Sequence, residues 1–160
     1  MGLSKCAASG GTTQVLTTLD EGKQEKSHRF PQFLPDGRSV LFNIVSADTK
    51  SFDEARIAVL SLDTGQIRVL LDGGTNPRFV PTGHLIYVRG TSLIAVPFDP
   101  GRLEITGQSI PVLDGVSTTA GHGLALVSVA ESGLLAYVRG DIRGSDRRVV
   151  WVDRQDASNR

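Results

Sequence analysis

Three times along the chain, at nearly even spacing, a turn ending in glycine separates two apolar runs. The string Phe33-Leu34-Pro35-Asp36-Gly37-Arg38-Ser39-Val40-Leu41-Phe42 recurs as Phe79-Val80-Pro81-Thr82-Gly83-His84-Leu85-Ile86-Tyr87. It returns as Val129-Ala130-Glu131-Ser132-Gly133-Leu134-Leu135-Ala136-Tyr137. The turn glycines Gly37, Gly83 and Gly133 are 46 and 50 residues apart. Downstream, Leu62-Asp63-Thr64-Gly65 corresponds to Phe98-Asp99-Pro100-Gly101. Each unit therefore holds two hairpins, and so four strands. Such spacing restricts the chain to one supersecondary unit used repeatedly.

The runs between the turns are short and rich in Val, Ile, Leu, Phe and Tyr, and few place apolar residues at helical spacing. Strands are expected at 39–45, 56–62 and 66–71, the last two joined by the Asp63-Thr64-Gly65 turn. Further strands are expected at 85–88, 92–98, 109–113, 124–129, 134–138 and 148–152. A four-stranded antiparallel unit repeated every 40 to 50 or so residues is the pattern of a β-propeller blade. The expected fold is all-β, a partial β-propeller of about three four-stranded antiparallel blades. The 18 glycines are accounted for largely by its turns.

Composition narrows the function classes. Seventeen basic and 17 acidic residues balance, so no strong field favours nucleic acid or a membrane surface. No stretch reaches the roughly 18 apolar residues of a membrane helix. Cys6 is the only cysteine, which excludes an internal disulfide and a thiolate metal site.

The Pro35-Asp36-Gly37 turn between apolar strands resembles the TolB-like, or WD40-like, propeller repeat. The wider string His28-Arg29-Phe30-Pro31-Gln32-Phe33-Leu34-Pro35-Asp36-Gly37-Arg38 is similar to propeller regions that follow bacterial serine/threonine kinase domains. Trp151-Val152-Asp153-Arg154-Gln155 resembles a blade strand of the same group. The likeness covers nearly the whole chain. It implies a sensing or assembly role in the bacterial cytoplasm or periplasm, as part of a longer chain. The second and third turns depart from it, with Thr82 and Ser132 in place of aspartate. Their glycines are expected to keep the turn while the aspartate's backbone-capping bonds are lost.

Counting strands leaves a remainder. Residues 28–72 and 75–114 form two blades, 121–152 an incomplete third, and 12–18 a spare outer strand. Propellers usually need at least four blades to close. Two copies exchanging strand 12–18 would give a six-bladed ring, so a homodimer is one expectation. A slice of a longer propeller is the other.

Candidate site residues are few. His28 and His122 both fall before an innermost-strand position, at odd offsets from Phe33 and Val129, and are placed at the channel mouth. The loop from Arg139 to Arg148 is the most polar segment, and Arg139, Asp141, Arg143 and Arg147 are its candidate binding residues. His84 is expected to be exposed in its turn. Asp36, Gly37, Gly83 and Gly133 are assigned to turn geometry, and Phe42, Tyr87 and Tyr137 to packing between blades. Signatures of a hydrolase elbow, a P-loop, a zinc-protease helix and a kinase core are absent. The expected function is a non-catalytic scaffold for a protein or small ligand, with no cofactor. The alternatives are a metal-assisted hydrolase or lyase built on His28 and His122 at a dimer axis, and a truncated propeller fragment without independent function.

Overall fold

The computed structural model describes residues 1–119 and 121–140, and these form an all-β fold of several small antiparallel sheets. A short hairpin pairs β1 (Ser4–Lys5) with β2 (Gln14–Val15). The first large sheet is a meander of β3 (Glu25–Phe33), β4 (Ser39–Ser46), β5 (Arg56–Ser61) and β6 (Ile67–Asp72). The second runs through β7 (Thr75–Val80), β8 (His84–Arg89) and β9 (Ser92–Asp99). Its fourth position is split, because β10 (Glu104–Ile105) and β11 (Ile110–Leu113) both pair with β9. A last hairpin joins β12 (Val127–Val129) to β13 (Leu135–Tyr137). The described sheets do not close into a ring.

Alternation along the central strands explains why they read as unbroken apolar runs. On β4, Leu41 faces the second sheet while Val40, Phe42 and Ile44 face the amino-terminal segment. On β5, Ile57 and Val59 take the first side, Ala58 and Leu60 the second. The second sheet repeats the arrangement. Leu85, Tyr87, Val96 and Phe98 meet the first sheet, whereas Ile86, Val88, Leu93 and Ala95 pack on Val116, Ala125 and the last hairpin. Strands buried on both faces lose the polar alternation of a half-exposed sheet. The result is a stack of layers with a core between each pair.

The three glycine turns share one geometry. The N–H of Gly37 donates to Leu34 O at 2.9 Å, that of Gly83 to Val80 O at 3.1 Å, and that of Gly133 to Ala130 O at 2.9 Å. All three glycines have positive φ, which side-chain-bearing residues rarely adopt. Only the first turn has an aspartate, and there Asp36 Oδ1 accepts from the N–H of Arg38 and Ser39 at 2.9 and 3.0 Å. Asp36 Oδ2 accepts from the Ser39 hydroxyl at 2.8 Å. The turns at Gly83 and Gly133 keep the backbone bond without that cap, as the sequence predicts.

The amino-terminal segment departs from expectation. Residues 12–18 contribute a strand of two residues, and its partner is Ser4–Lys5 of the same chain. Leu3, only 7% exposed, covers the face made by Val40, Phe42, Ile44 and Leu60. The segment thus occupies the position of a further layer. At the other end, Tyr137 was expected to pack between units but is exposed. Among the described residues no layer lies beyond the last hairpin, whereas Phe42 and Tyr87 are buried between layers. The strand expected at 148–152, and Trp151 with it, lies outside the described residues.

Candidate functional site

Equivalent residues of the three units converge on one groove of about 560 Å³. Phe33, Phe79 and Val129 line it from the ends of β3, β7 and β12, and Pro35, Pro81 and Glu131 from the turns that follow. A paired amide contact joins the first two strands. Phe79 N–H donates to Gln32 Oε1 at 2.7 Å, and Gln32 Nε2 donates to Phe79 O at 3.4 Å. Phe79 is further held edge-on to Phe98, with ring centroids 6.0 Å apart. Phe33 is not packed in this way and remains 52% exposed. An exposed phenyl ring beside a rigid one gives the groove an apolar contact surface with an acidic residue at its rim.

Asparagines hold the layers in place behind this groove. Asn43 Nδ2 donates to Arg56 O at 3.1 Å and to Gly74 O at 2.9 Å, and its Oδ1 accepts from the N–H of Asn76 at 2.9 Å. Asn76 Nδ2 in turn donates to Ala125 O at 2.9 Å, and the Thr75 hydroxyl donates to Gly123 O at 2.8 Å. Asn76 is left-handed, with φ of 57°, and so is Phe30, with φ of 54°. These two residues are 46 residues apart, the interval between Gly37 and Gly83. Each sits at a register shift, in β3 between Arg29 and Gln32 and in β7 between Thr75 and Arg78. A bulge re-aims the side chains that follow it. Here those are Gln32 and Arg78.

The structure places His28 in the interior, 6% exposed, not on an open mouth. Its Nδ1 lies 2.7 Å from Thr17 Oγ1 and its Nε2 lies 3.1 Å from Glu25 Oε2. Thr17 Oγ1 also accepts the N–H of Leu3 at 2.7 Å, so the hydroxyl is engaged on two sides. Glu25 is paired a second time, with Arg56 Nη2 at 3.2 Å. This row of hydroxyl, imidazole and carboxylate does not border the groove. Its partners make it a tie between the amino-terminal segment and the first sheet.

His122 is exposed in the turn before Gly123, and no hydrogen bond joins it to His28. His84 is partly buried, with Nδ1 2.9 Å from Thr82 O. Arg139 is exposed, bridges to Val116, and borders a shallow cavity of about 380 Å³ with Asp114. Asp141, Arg143 and Arg147 lie outside the described residues. Among the described residues, no three His, Cys, Asp or Glu side chains are arranged to hold a metal ion. No described helix is long and apolar enough to cross a membrane.

Sequence reasoning missed Thr17, Glu25, Asn43 and the pair Gln32 and Arg78. The usable signal for the last two was positional, since each directly precedes the repeated Phe33 or Phe79. No protein-family model matches the chain, and no curated protein matches it.

Proposed function

We propose that the chain is a slice of a β-propeller acting as a non-catalytic binding scaffold, with the groove at the ends of its innermost strands as the binding surface. The observation that carries this reading is the convergence of Phe33, Phe79 and Val129, one residue from each unit, on a single groove. The turn bond and the left-handed residue that recur at matching repeat positions support it. A stiff stack that displays equivalent positions side by side suits recognition better than bond-making chemistry. Both ring nitrogens of His28 are already engaged, so no observation favours the metal-assisted hydrolase or lyase. Exchange of strand 12–18 between two copies is likewise not favoured. It would pull Leu3 and Leu16 from the face they cover.

The test is a two-dimensional NMR titration with short peptides containing aromatic residues. Binders should shift the amide signals of Phe33, Phe79 and Val129 together, and Phe33→Ser should abolish the effect. Shifts scattered over other surfaces, or indifference to Phe33→Ser, would overturn the reading. Phe33 is half exposed, so the variant keeps its core.

A further inference from the structure

Gln32, Arg78 and Ser128 occupy the same repeat position, one residue before Phe33, Phe79 and Val129 respectively. They line one cavity of about 270 Å³, whose remaining walls are Phe79, Val127 and Val129. Residues that carry an amide, a guanidinium and a hydroxyl, one from each of β3, β7 and β12, thus border one space. None of the lining residues is acidic.

Arg78 is the unusual member. It is half-buried, and no carboxylate pairs with it among the described residues, although five lysine or arginine side chains pair with carboxylates elsewhere. Among the described residues its hydrogen bonds leave from Nη1 alone, to Phe30 O at 3.3 Å and Pro77 O at 3.2 Å. Those carbonyls orient the guanidinium but do not neutralise it. Nε–H and Nη2 have no acceptor among the described residues. Burial pulls its pKa below the ordinary arginine value, the sign of a cation paying desolvation without a counter-charge. Gln32 is committed to the backbone of Phe79, so it shapes the wall. Ser128 is exposed on β12 and borders the same cavity.

We infer that this cavity is a binding site for a small oxyanion, a carboxylate or phosphate group held by the Arg78 fork and the Ser128 hydroxyl. Arginine matches such groups with paired N–H donors, and the bond strengthens where water is partly excluded. The volume suits a small acid or the acidic end of a larger molecule. The inference names a ligand chemistry for the inner-strand side of the proposed scaffold and rests on that reading only for its biological sense.

The experiment titrates the full chain separately with inorganic phosphate and with acetate, at constant ionic strength, and follows the arginine side-chain Nε–H signals by NMR. One resonance should shift saturably and be absent from Arg78→Gln. The arm that saturates at lower concentration identifies the preferred group. Arg78→Gln should weaken binding by about tenfold or more, and Ser128→Ala by about threefold. Arg78→Lys keeps the charge and loses the fork, so it should fall between wild type and Arg78→Gln. Dispersed amide signals establish that each variant folds, and if Arg78→Gln fails that check, Arg78→Lys and Ser128→Ala decide the matter. Non-saturating shifts in both arms, or equal affinity in wild type and the folded variants, would overturn the site. In that case peptide-induced shifts at Phe33 that persist leave the scaffold reading standing, whereas anion binding without them retains the site and removes the scaffold.

Discussion

Asn43 lies at the centre of the first sheet with no exposed surface, yet it is polar. Its amide answers two carbonyls and one N–H from three different segments, including the strand that begins the second sheet. Asn43→Ala removes a partner from the buried Gly74 O and Asn76 N–H and from the part-buried Arg56 O. The expected cost is about 2–4 kcal/mol, measurable by urea unfolding, because the desolvation penalty of orphaned groups exceeds the net value of the bonds. Asp36 acts at the surface by a related principle. Burial pushes its carboxyl up, but the hydrogen bonds from Arg38 and Ser39 outweigh that and hold it below the ordinary value of 3.8. A carboxyl lowered by folding stabilises the fold above its ordinary pKa and stops doing so as pH falls through the folded value. Asp36→Ala should therefore cost about 1 kcal/mol near neutrality. The gap to wild type should shrink below about pH 3.8 when unfolding is followed across a pH series. The aspartate's turn role was legible because Pro-Asp-Gly is a local pattern. The role of Asn43 was not, because its partners are 13, 31 and 33 residues away.

At the scale of elements, the large sheets were readable and their edges were not. Strands β4, β5, β8 and β9 are buried on both faces, and their apolar runs therefore stood out against flanking turns. β2 fell inside the expected strand 12–18, whereas its partner β1, Ser4 and Lys5, carries no strand signal. Their pairing depends on Leu3 and Leu16 docking onto a sheet that follows them in sequence. The split fourth position of the second sheet was half visible, since β11 matched a predicted strand and the two-residue β10 fell inside an expected loop. The candidate site follows the same division. Phe33 and Phe79 were visible as repeat residues, but Gln32, Arg78 and Ser128 were hidden by their dissimilarity. The junction between the two large sheets gives a sharp test. Gly74 has φ of 122°, and a Cβ there would enter the ring of Tyr87. Gly74→Ala should destabilise by about 3 kcal/mol or more, through strain and a clash with a fully packed ring. Thermal unfolding would register it, and an unchanged midpoint would contradict the close approach of these layers.

The described residues form a stack of layers with unlike ends. At one end the amino-terminal hairpin seals the first sheet, using Leu3 against Phe42 and Leu60 and the Thr17, His28 and Glu25 row beside it. At the other, the last hairpin leaves Leu134 76% exposed and Val138 53% exposed. The repeat alone suggests that both ends need a neighbour, and the seal removes that need at the first. If the seal is intramolecular, its strength cannot depend on how many chains are in solution. The melting midpoint of the intact chain should therefore be unchanged as concentration is raised a hundredfold. Exchange of the same segment between two chains would instead raise the midpoint with concentration, by mass action. Leu3→Asp places a charge under the seal and should cost about 3 kcal/mol. That loss should be equal at every concentration. A loss that grows on dilution would place Leu3 on another chain and restore the two-fold ring.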